Sequence, residues 1–439
     1  MMTRTHILRP LGLLVLAGLC FLAAQGTGIR LFLHLFYVLL ALLVLSYAWA
    51  KLNLRGLAVG REVFTHRTQV GEAARERITL QNLWPLPKLW IEVLDHSDLP
   101  GHAPGFVAYL PGREQRRWIT ATPCTMRGKF TLGPATLVSG DPFGIFRVTR
   151  SIDSTSEVLV YPRIVDLPGF QLPSAELPGG QNLKSRTYHV TPNVSGVREY
   201  QPGDSFNRIH WRSVARTGQL MVKEFELDPT AELYVVLDMQ ERVQERVLPR
   251  RGERGMERLS EVRVAESTEE YAVTAAASIA RHMLNQDRAV GLVAWGQHRE
   301  VIPAEREVRQ LYKILEALAV LRAWGTQSLA EVLAAEASRF GRNSTLVIIT
   351  PSLDERWVAS VQHLRYRGVQ AVALFVDPQS FGGWRDSRPL LARLADARVP
   401  YYVLRQGESL AHTLGVGPSA APPRLSRSGG AYQPQRAAS

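Results

Sequence analysis

Two long apolar runs open the chain. Ile7 to Ala24 is apolar apart from its Arg-Pro start, and His34 and Ser46 are the isolated polar positions between Leu31 and Ala50. Each run is close to the ~20 residues a helix needs to cross a hydrocarbon core. The intervening "QGTGIR" leaves room only for a tight reversal, so residues 1–56 read as a transmembrane helical hairpin. Tyr47 and Trp49 stand where an interfacial aromatic belt would sit. Arg4 and Arg9 precede the first run, Lys51, Arg55 and Arg61 follow the second, and Arg30 alone occupies the loop. Because basic residues stay on the cytoplasmic side, this distribution puts the rest of the chain in the cytosol. A competing reading makes the first run a cleaved signal peptide ending near "LAA", with the second run as anchor and the remainder facing outward. "LAGLC" also suggests a lipoprotein site, but Leu19 occupies the position where a small residue belongs.

The period then changes to two. "VGEAARERITLQN", "KLWIEVLD" and "RRWITATP" alternate apolar and polar positions, and Pro-Gly, Gly-Pro and Asp-Pro pairs punctuate them. Residues 57–165 are therefore expected to form a small antiparallel β-sandwich of immunoglobulin-like type. Within it, Asp141-Pro142-Phe143-Gly144 is a turn by its own chemistry: the Asp side chain caps, Pro sets φ, and Gly accepts positive φ. Phe143 and Phe146 are expected to plug the end of the sandwich.

After Glu232, strands alternate with helical segments. "LYVVLD", "AVGLVAWG", "STLVIIT", "VQAVALFV" and "VPYYVLR" are apolar runs suited to a buried parallel sheet. Helical periodicity covers 268–285, 308–321, 329–340 and 355–367. The pattern predicts an α/β doubly wound domain over 231–405. Ligands of such sheets sit beyond the carboxyl ends of the strands, where Asp238, Thr350 and Asp354 fall. The arrangement resembles a von Willebrand factor A domain, whose metal site uses Asp-x-Ser-x-Ser. Here Gln240 and Arg242 replace the two serines, and a guanidinium cannot ligate a cation. Asp238, Thr350 and Asp354 are thus a thin remnant of an Mg²⁺ site, and no cofactor is expected.

Net charge is +12, carried almost wholly by Arg, since only six residues are Lys. Acidic residues are interspersed throughout, so no nucleic-acid partner is expected. Cys20 and Cys124 lie in unrelated contexts and suggest neither a disulfide framework nor a zinc site. The Arg-rich stretch 242–266 reads as an exposed insertion, and 406–439 as a disordered tail.

Between the two domains, residues 166–230 contain "REYQPGDSFNRIHWRSVARTGQL". Pro202 and Gly203 centre a turn, Asp204 is a natural N-cap, and Gly218 ends the helix that follows. Arg208, Arg212 and Arg216 are spaced four apart and would form one stripe on that helix. Trp211 would anchor the helix on a neighbour. "LMVKEFE" alternates as a pairing strand. The arginine stripe fits either an anionic group on a partner or an internal network with Glu199, Asp204, Glu224 and Glu226 that fixes the linker to the α/β domain. Asp204, His210, Ser195 and Ser213 show no spacing that pairs a nucleophile with a base, and no G-x-S-x-G elbow is present, so no catalytic residue is assigned.

Arg198, Tyr200, Gly203, Asp204, Arg208, Ile209, Trp211, Ala215, Arg216, Leu220, Val222, Lys223 and Phe225 fall in register with the signature of the domain of unknown function 58 family, which the chain resembles. "DPFG", the hairpin and the A-domain-like end fit the same resemblance. His210 stands where that family usually has an Asp. The resemblance implies a bacterial inner-membrane protein facing the cytosol and working as a non-enzymatic adaptor with a MoxR-type AAA+ ATPase. It implies no small-molecule substrate. The alternative is a metal- or ligand-binding sensor at Asp238 and Thr350. Partner or inter-domain contact residues are then Arg198, Tyr200, Gly203, Asp204, Arg208, Trp211, Arg212, Arg216 and Lys223.

Overall fold

The computed structural model describes residues 5–102, 105–172, 194–200, 209–225, 232–247, 266–342 and 344–419. Two compact units emerge, the first built on residues 1–163 and the second on the α/β part of the chain from residue 164.

The first unit begins with helices α1 (Thr5–Thr27) and α2 (Arg30–Asn53), which pack on each other. Their stretches Arg9–Thr27 and Arg30–Asn53 are long and apolar enough to cross a membrane. Their outward faces stay apolar, with Leu19, Leu22, Leu31 and Leu45 all exposed, as expected of helices that meet lipid rather than a protein core.

The strands that follow are β1 (Leu57–Val63), β2 (Arg67–Gln69), β3 (Ala73–Asn82), β4 (Lys88–Ser97), β5 (Gly105–Leu110), β6 (Gln115–Pro123), β7 (Gly128–Gly140), β8 (Arg147–Ile152) and β9 (Ser156–Tyr161). One sheet has the order β1-β3-β6 and the other β2-β9-β7-β4-β5, with β8 also on β7. Alternation drives the stacking: Leu57 and Leu80 of the first sheet meet Ile91, Val93, Ala108, Leu110 and Leu137 of the second in a closed core. One pairing departs from the expected antiparallel pattern. After β1 the chain crosses to the second sheet, and β2 runs parallel to β9, with Arg67 opposite Leu159.

No flexible linker separates α2 from this sandwich. Asn53 donates its side-chain amide to Ser139 Oγ at 2.7 Å and to the Leu89 carbonyl. Its Oδ1 accepts from Leu89 N at 3.2 Å. Buried Lys88 donates to the Leu52 carbonyl at 2.7 Å, closing one of the open carbonyls that a helix leaves at its end.

In the second unit, β10 (Val194–Glu199) and β11 (Met221–Phe225) form an antiparallel ribbon, with α3 (Trp211–Thr217) between them in sequence. The main sheet contains β12 (Leu233–Leu237), β13 (Val290–Trp295), β14 (Arg299–Glu305), β15 (Thr345–Thr350), β16 (Gln370–Val376) and β17 (Tyr401–Leu404). Its order is β14-β13-β12-β15-β16-β17, parallel except for β14. The helices are α4 (Thr268–Asn285), α5 (Val308–Val320), α6 (Leu329–Ala335), α7 (Arg356–Tyr366), α8 (Arg388–Asp396) and α9 (Leu410–Gly415).

On one face, Tyr234, Val236, Ile348, Ala373 and Phe375 pack with Leu333 of α6, Trp357 of α7 and Leu394 of α8. Helix α4 lies across β12, β13, β15 and β16, and its buried Ala272, Ala275, Ala276 and Ile279 are not part of that cluster, so both faces are covered. Segment 165–170 docks on α4: Val165 N donates to Ser278 Oγ at 2.9 Å, and His282 Nε2 lies 3.1 Å from the Phe170 carbonyl. This is the α/β architecture expected for 231–405, with three corrections. The edge strand β14 reverses direction, α6 stops at Ala335 rather than Phe340, and the chain remains ordered beyond 405. Helix α9 and the backbone pairing of Ser419 with Tyr401 replace the start of the expected tail. Residues 420–439, like 248–265 of the insertion expected over 242–266, lie outside the described residues.

Candidate functional site

The strand order turns around at β12, which is flanked by β13 on one side and β15 on the other. Crevices of open α/β sheets form at the carboxyl ends of strands at such a reversal. Asp238 and Thr350 meet there. The Asp238 side chain is buried, the residue being 3% exposed, and accepts from Thr350 Oγ1 at 2.6 Å and from the Gln240 backbone N–H at 3.1 Å. Thr350 Oγ1 in turn accepts from Ser352 N at 2.9 Å. Burial pushes the Asp238 carboxyl up to about 6. The bonds from Thr350 and Gln240 oppose that rise, and the nearby charge of Asp354 adds to it.

Asp354 behaves differently. Arg356 grips both its oxygens, with Nε at 3.1 and 2.8 Å and Nη2 at 2.7 Å, and this pairing holds the carboxyl below its usual range. The two acidic candidates from the sequence are therefore near each other, and each is held by groups of the protein itself.

These residues border a cleft of about 540 Å³ lined by Gln240, Arg242, Glu245, Ser352, Asp354, Arg356, Trp384 and Arg385, among others. Trp384 is 83% exposed, and the Arg385 guanidinium lies 5.1 Å from its ring centroid. Arg242, on a 3₁₀ turn at Glu241–Val243, and Arg385 pair with no carboxylate among the described residues. The cleft thus offers a flat aromatic face and two unmatched guanidinium groups. Just past the end of β12, Gly325 N–H donates to the Met239 carbonyl at 2.9 Å. A Cβ there would lie 2.2 Å from the Trp295 carbonyl oxygen and 2.8 Å from that of Met239, so only glycine lets the chain pass between the two strand ends. Sequence reasoning missed Trp384, Arg385 and Gly325 because no local motif surrounds them.

The central motif forms less of a helix than its spacing suggests. Ile209 pairs with Val222 and His210 N donates to the Met221 carbonyl, so the chain is still extended there. The helix begins at Trp211 and ends on Gly218 at φ 73°, the expected left-handed cap. Arg212 and Arg216 ride on it, exposed, with no ion pair among the described residues. Gly203, Asp204 and Arg208 lie outside the described residues, and a helix starting at Trp211 does not carry a three-arginine stripe. Trp211 does not anchor the helix either: it is 66% exposed. Arg198 and Lys223 sit in the ribbon, opposite Val222 and Val197, and Tyr200 N donates to the Leu220 carbonyl. One contact unforeseen from spacing is His210 Nδ1 with Ser213 Oγ at 2.6 Å, across the first turn of α3.

In the sandwich, Asp141 accepts from Phe143 N at 2.9 Å and from Phe146 N at 2.5 Å, and Gly144 takes φ 67°. The structural turn through Pro142 is as expected, but Phe143 does not plug the end. It is 68% exposed, while Phe146 packs edge-on against Tyr47 of α2 at 5.4 Å.

The same unit holds a buried charged cluster that no sequence motif announces. Arg61, Glu76, Asp95 and His102 have side chains at most 2% exposed. His102 Nε2 lies 2.9 Å from Asp95 Oδ2 and 3.3 Å from Glu76 Oε1, and its Nδ1 is 2.7 Å from Thr122 Oγ1. Arg61 bonds the remaining oxygens, Glu76 Oε2 at 2.5 Å and Asp95 Oδ1. Burial raises the Glu76 carboxyl, against the lowering effect of Arg61 and His102. The Asp95 carboxyl is depressed: burial, the largest single influence, is outweighed by His102 and Arg61.

Residues 196–380 match the family described as "Protein of unknown function DUF58". The chain carries a DUF58 region. That region contains most of the ribbon, α3, most of the main sheet and the cleft residues from Gln240 to Pro378, but not Trp384 or Arg385. The uncharacterized protein YeaD of Bacillus subtilis (strain 168) is 22% identical to this chain, over 79% of this sequence and 82% of its own. Among solved structures, the CARDB domain of PF1109 from Pyrococcus furiosus is 18% identical, covering 24% of this chain and 91% of that domain, at a TM-score of 0.19. The pilus adhesin SpaC from Lactobacillus rhamnosus GG is 8% identical, covering 44% of this chain and 29% of that protein, at a TM-score of 0.29. At those TM-scores neither likeness bears on function.

Proposed function

We propose that this DUF58 chain is a membrane-anchored, cytosol-facing adaptor, without enzymatic activity, that engages a protein partner through the cleft at the carboxyl end of its von Willebrand factor A-like sheet. The partner suggested by the family resemblance is a MoxR-type AAA+ ATPase. The observation that carries the reading is the cleft itself, with exposed Trp384 under Arg385 and with Arg242, which pairs with no carboxylate among the described residues, beside it. Exposed aromatic and arginine side chains are the groups that dominate protein interfaces. An acidic or amide-rich segment of a partner would satisfy both guanidinium groups.

Support for the anchor comes from α1 and α2 and from residues around the joint of α2 with the sandwich. Leu86, Leu89 and Trp90 are exposed beside the Asn53 contact, as residues resting on a lipid surface would be. The basic residues around the hairpin support a cytosolic body. What weighs against the alternative, a cation sensor at Asp238, is that Asp238 and Asp354 already spend their oxygens on Thr350, Gln240 and Arg356.

The test is co-purification of the detergent-solubilised protein with a tagged MoxR-type ATPase from the same genome, with ATP, ADP or no nucleotide. Nucleotide-dependent recovery supports the adaptor. Recovery of the chain alone in all three states overturns it.

A further inference from the structure

We infer that Glu76, Asp95 and His102 form a binding site for one divalent transition-metal cation of the Zn²⁺ or Mn²⁺ class, buried between the two sheets of the sandwich. Three observations lead there. First, Arg61 takes one oxygen from each carboxylate, and the oxygens it leaves, Glu76 Oε1 and Asp95 Oδ2, both lie close to His102 Nε2. The three ligand atoms lie within 4.8 Å of one another. The distances from Nε2, 2.9 and 3.3 Å, match the edges of about 2.9–3.4 Å between neighbouring ligands that metal bonds of ~2.0–2.1 Å produce.

Second, the charges do not balance. Two carboxylates against one guanidinium leave a negative charge in a place from which water is excluded, and such a charge requires a partner. A bare Nε2 lone pair facing two anionic oxygens would be repelled, so either an Nε2–H proton or a metal ion stands at that point. Third, a ring proton serves one oxygen well and leaves the other. Glu76 Oε1 is buried and makes no hydrogen bond. A metal ion at the common point would bond all three atoms.

The surroundings suit that role. Thr122 Oγ1, 2.7 Å from Nδ1, is placed to accept an Nδ1 proton, which would turn the lone pair of Nε2 inward, as partners of metal-bound histidines do. Arg61 fixes both carboxylates as single-oxygen ligands. Because Glu76 belongs to β3 of one sheet and Asp95 to β4 of the other, the ion would pin the two sheets together. One imidazole and two carboxylates favour borderline cations over Mg²⁺ or Ca²⁺.

The experiment uses the full-length protein in detergent, stripped with a chelator and then offered Zn²⁺ or Mn²⁺ separately. Metal content after desalting and the thermal midpoint are read together. One equivalent per chain and a midpoint several degrees higher are expected, with Glu76→Gln losing the retained metal. Thr122→Val, which keeps all three ligands, should fold and bind about 10–100-fold more weakly. Less than a tenth of an equivalent of either metal on the wild type, or equal retention by wild type and both variants, overturns the assignment.

Discussion

Lys88 Nζ stands 2.7 Å from the Leu52 carbonyl, inside the joint between the second hairpin helix and the sandwich. The same ammonium lies 4.9 Å from the Trp84 ring centroid, and burial depresses its pKa. A buried cation here is tolerable because the helix end offers it partial negative charge. Lys88→Met removes a charge-assisted bond of about 1.5–3 kcal/mol while relieving part of the burial cost. The expected net loss is about 1–2 kcal/mol in equilibrium denaturant unfolding. A gain in stability would show that the ammonium does not cap α2.

Asp238 makes stability depend on pH in a defined direction. Its folded pKa of about 6 lies above the ordinary aspartate value of 3.8. Between those values the folded protein holds the proton more tightly than the unfolded chain. The contribution is therefore complete below about pH 4 and is lost as pH rises through 6. At 1.36 kcal/mol per unit the span is about 3 kcal/mol. Asp238→Asn should flatten the stability profile between pH 4 and 7, measured by urea unfolding at each pH. An unchanged profile in the variant would assign the pH dependence elsewhere.

Gly325→Ala tests how closely the strand ends approach. The added methyl would collide with two backbone carbonyls rather than with flexible side chains. Expected is a loss of about 3 kcal/mol or more, at the upper end of overpacking costs. A variant of wild-type stability would mean that the two loops part easily.

The cleft reading predicts a separation of binding from folding. Trp384→Ala and Arg385→Ala alter exposed side chains and should change stability by no more than about 0.5 kcal/mol. Partner recovery in co-purification should fall at least tenfold for Trp384→Ala. Undiminished recovery by both variants would move the interface off this cleft.

Orientation has its own check. With the basic residues inside, a fluorescent protein fused after Ser439 should fluoresce, and an alkaline phosphatase fused there should stay inactive. Active phosphatase would mean that the body lies across the membrane.

Long runs of one period are legible in the residues themselves. The helix over 268–285 matches α4 residue for residue, and "LYVVLD" and "STLVIIT" lie in adjacent parallel strands, because full burial on both faces leaves continuous apolar runs. Strand β14 is not legible in this way: "REVIPAE" is charged at both ends and carries Pro303, which an edge strand tolerates. Helix α6 ends early where the buried Glu336 carboxylate is bonded by Arg299 and Arg339, each at 2.6 Å, a non-local cause. Of the candidate site, Asp238 and Thr350 stand out because they end strands. Glu76, Asp95 and His102 come together only through the stacking of two sheets, and their separations of 19 and 7 residues follow no ligand spacing.

Only Leu54, Arg55 and Gly56 separate α2 from β1, and Asn53 and Lys88 lock that short span in place. A rod joined so stiffly to its head behaves as a lever. In a bilayer whose thickness tilts the two helices, the sandwich would swing through the same angle, so lipid composition would set the direction in which the head points.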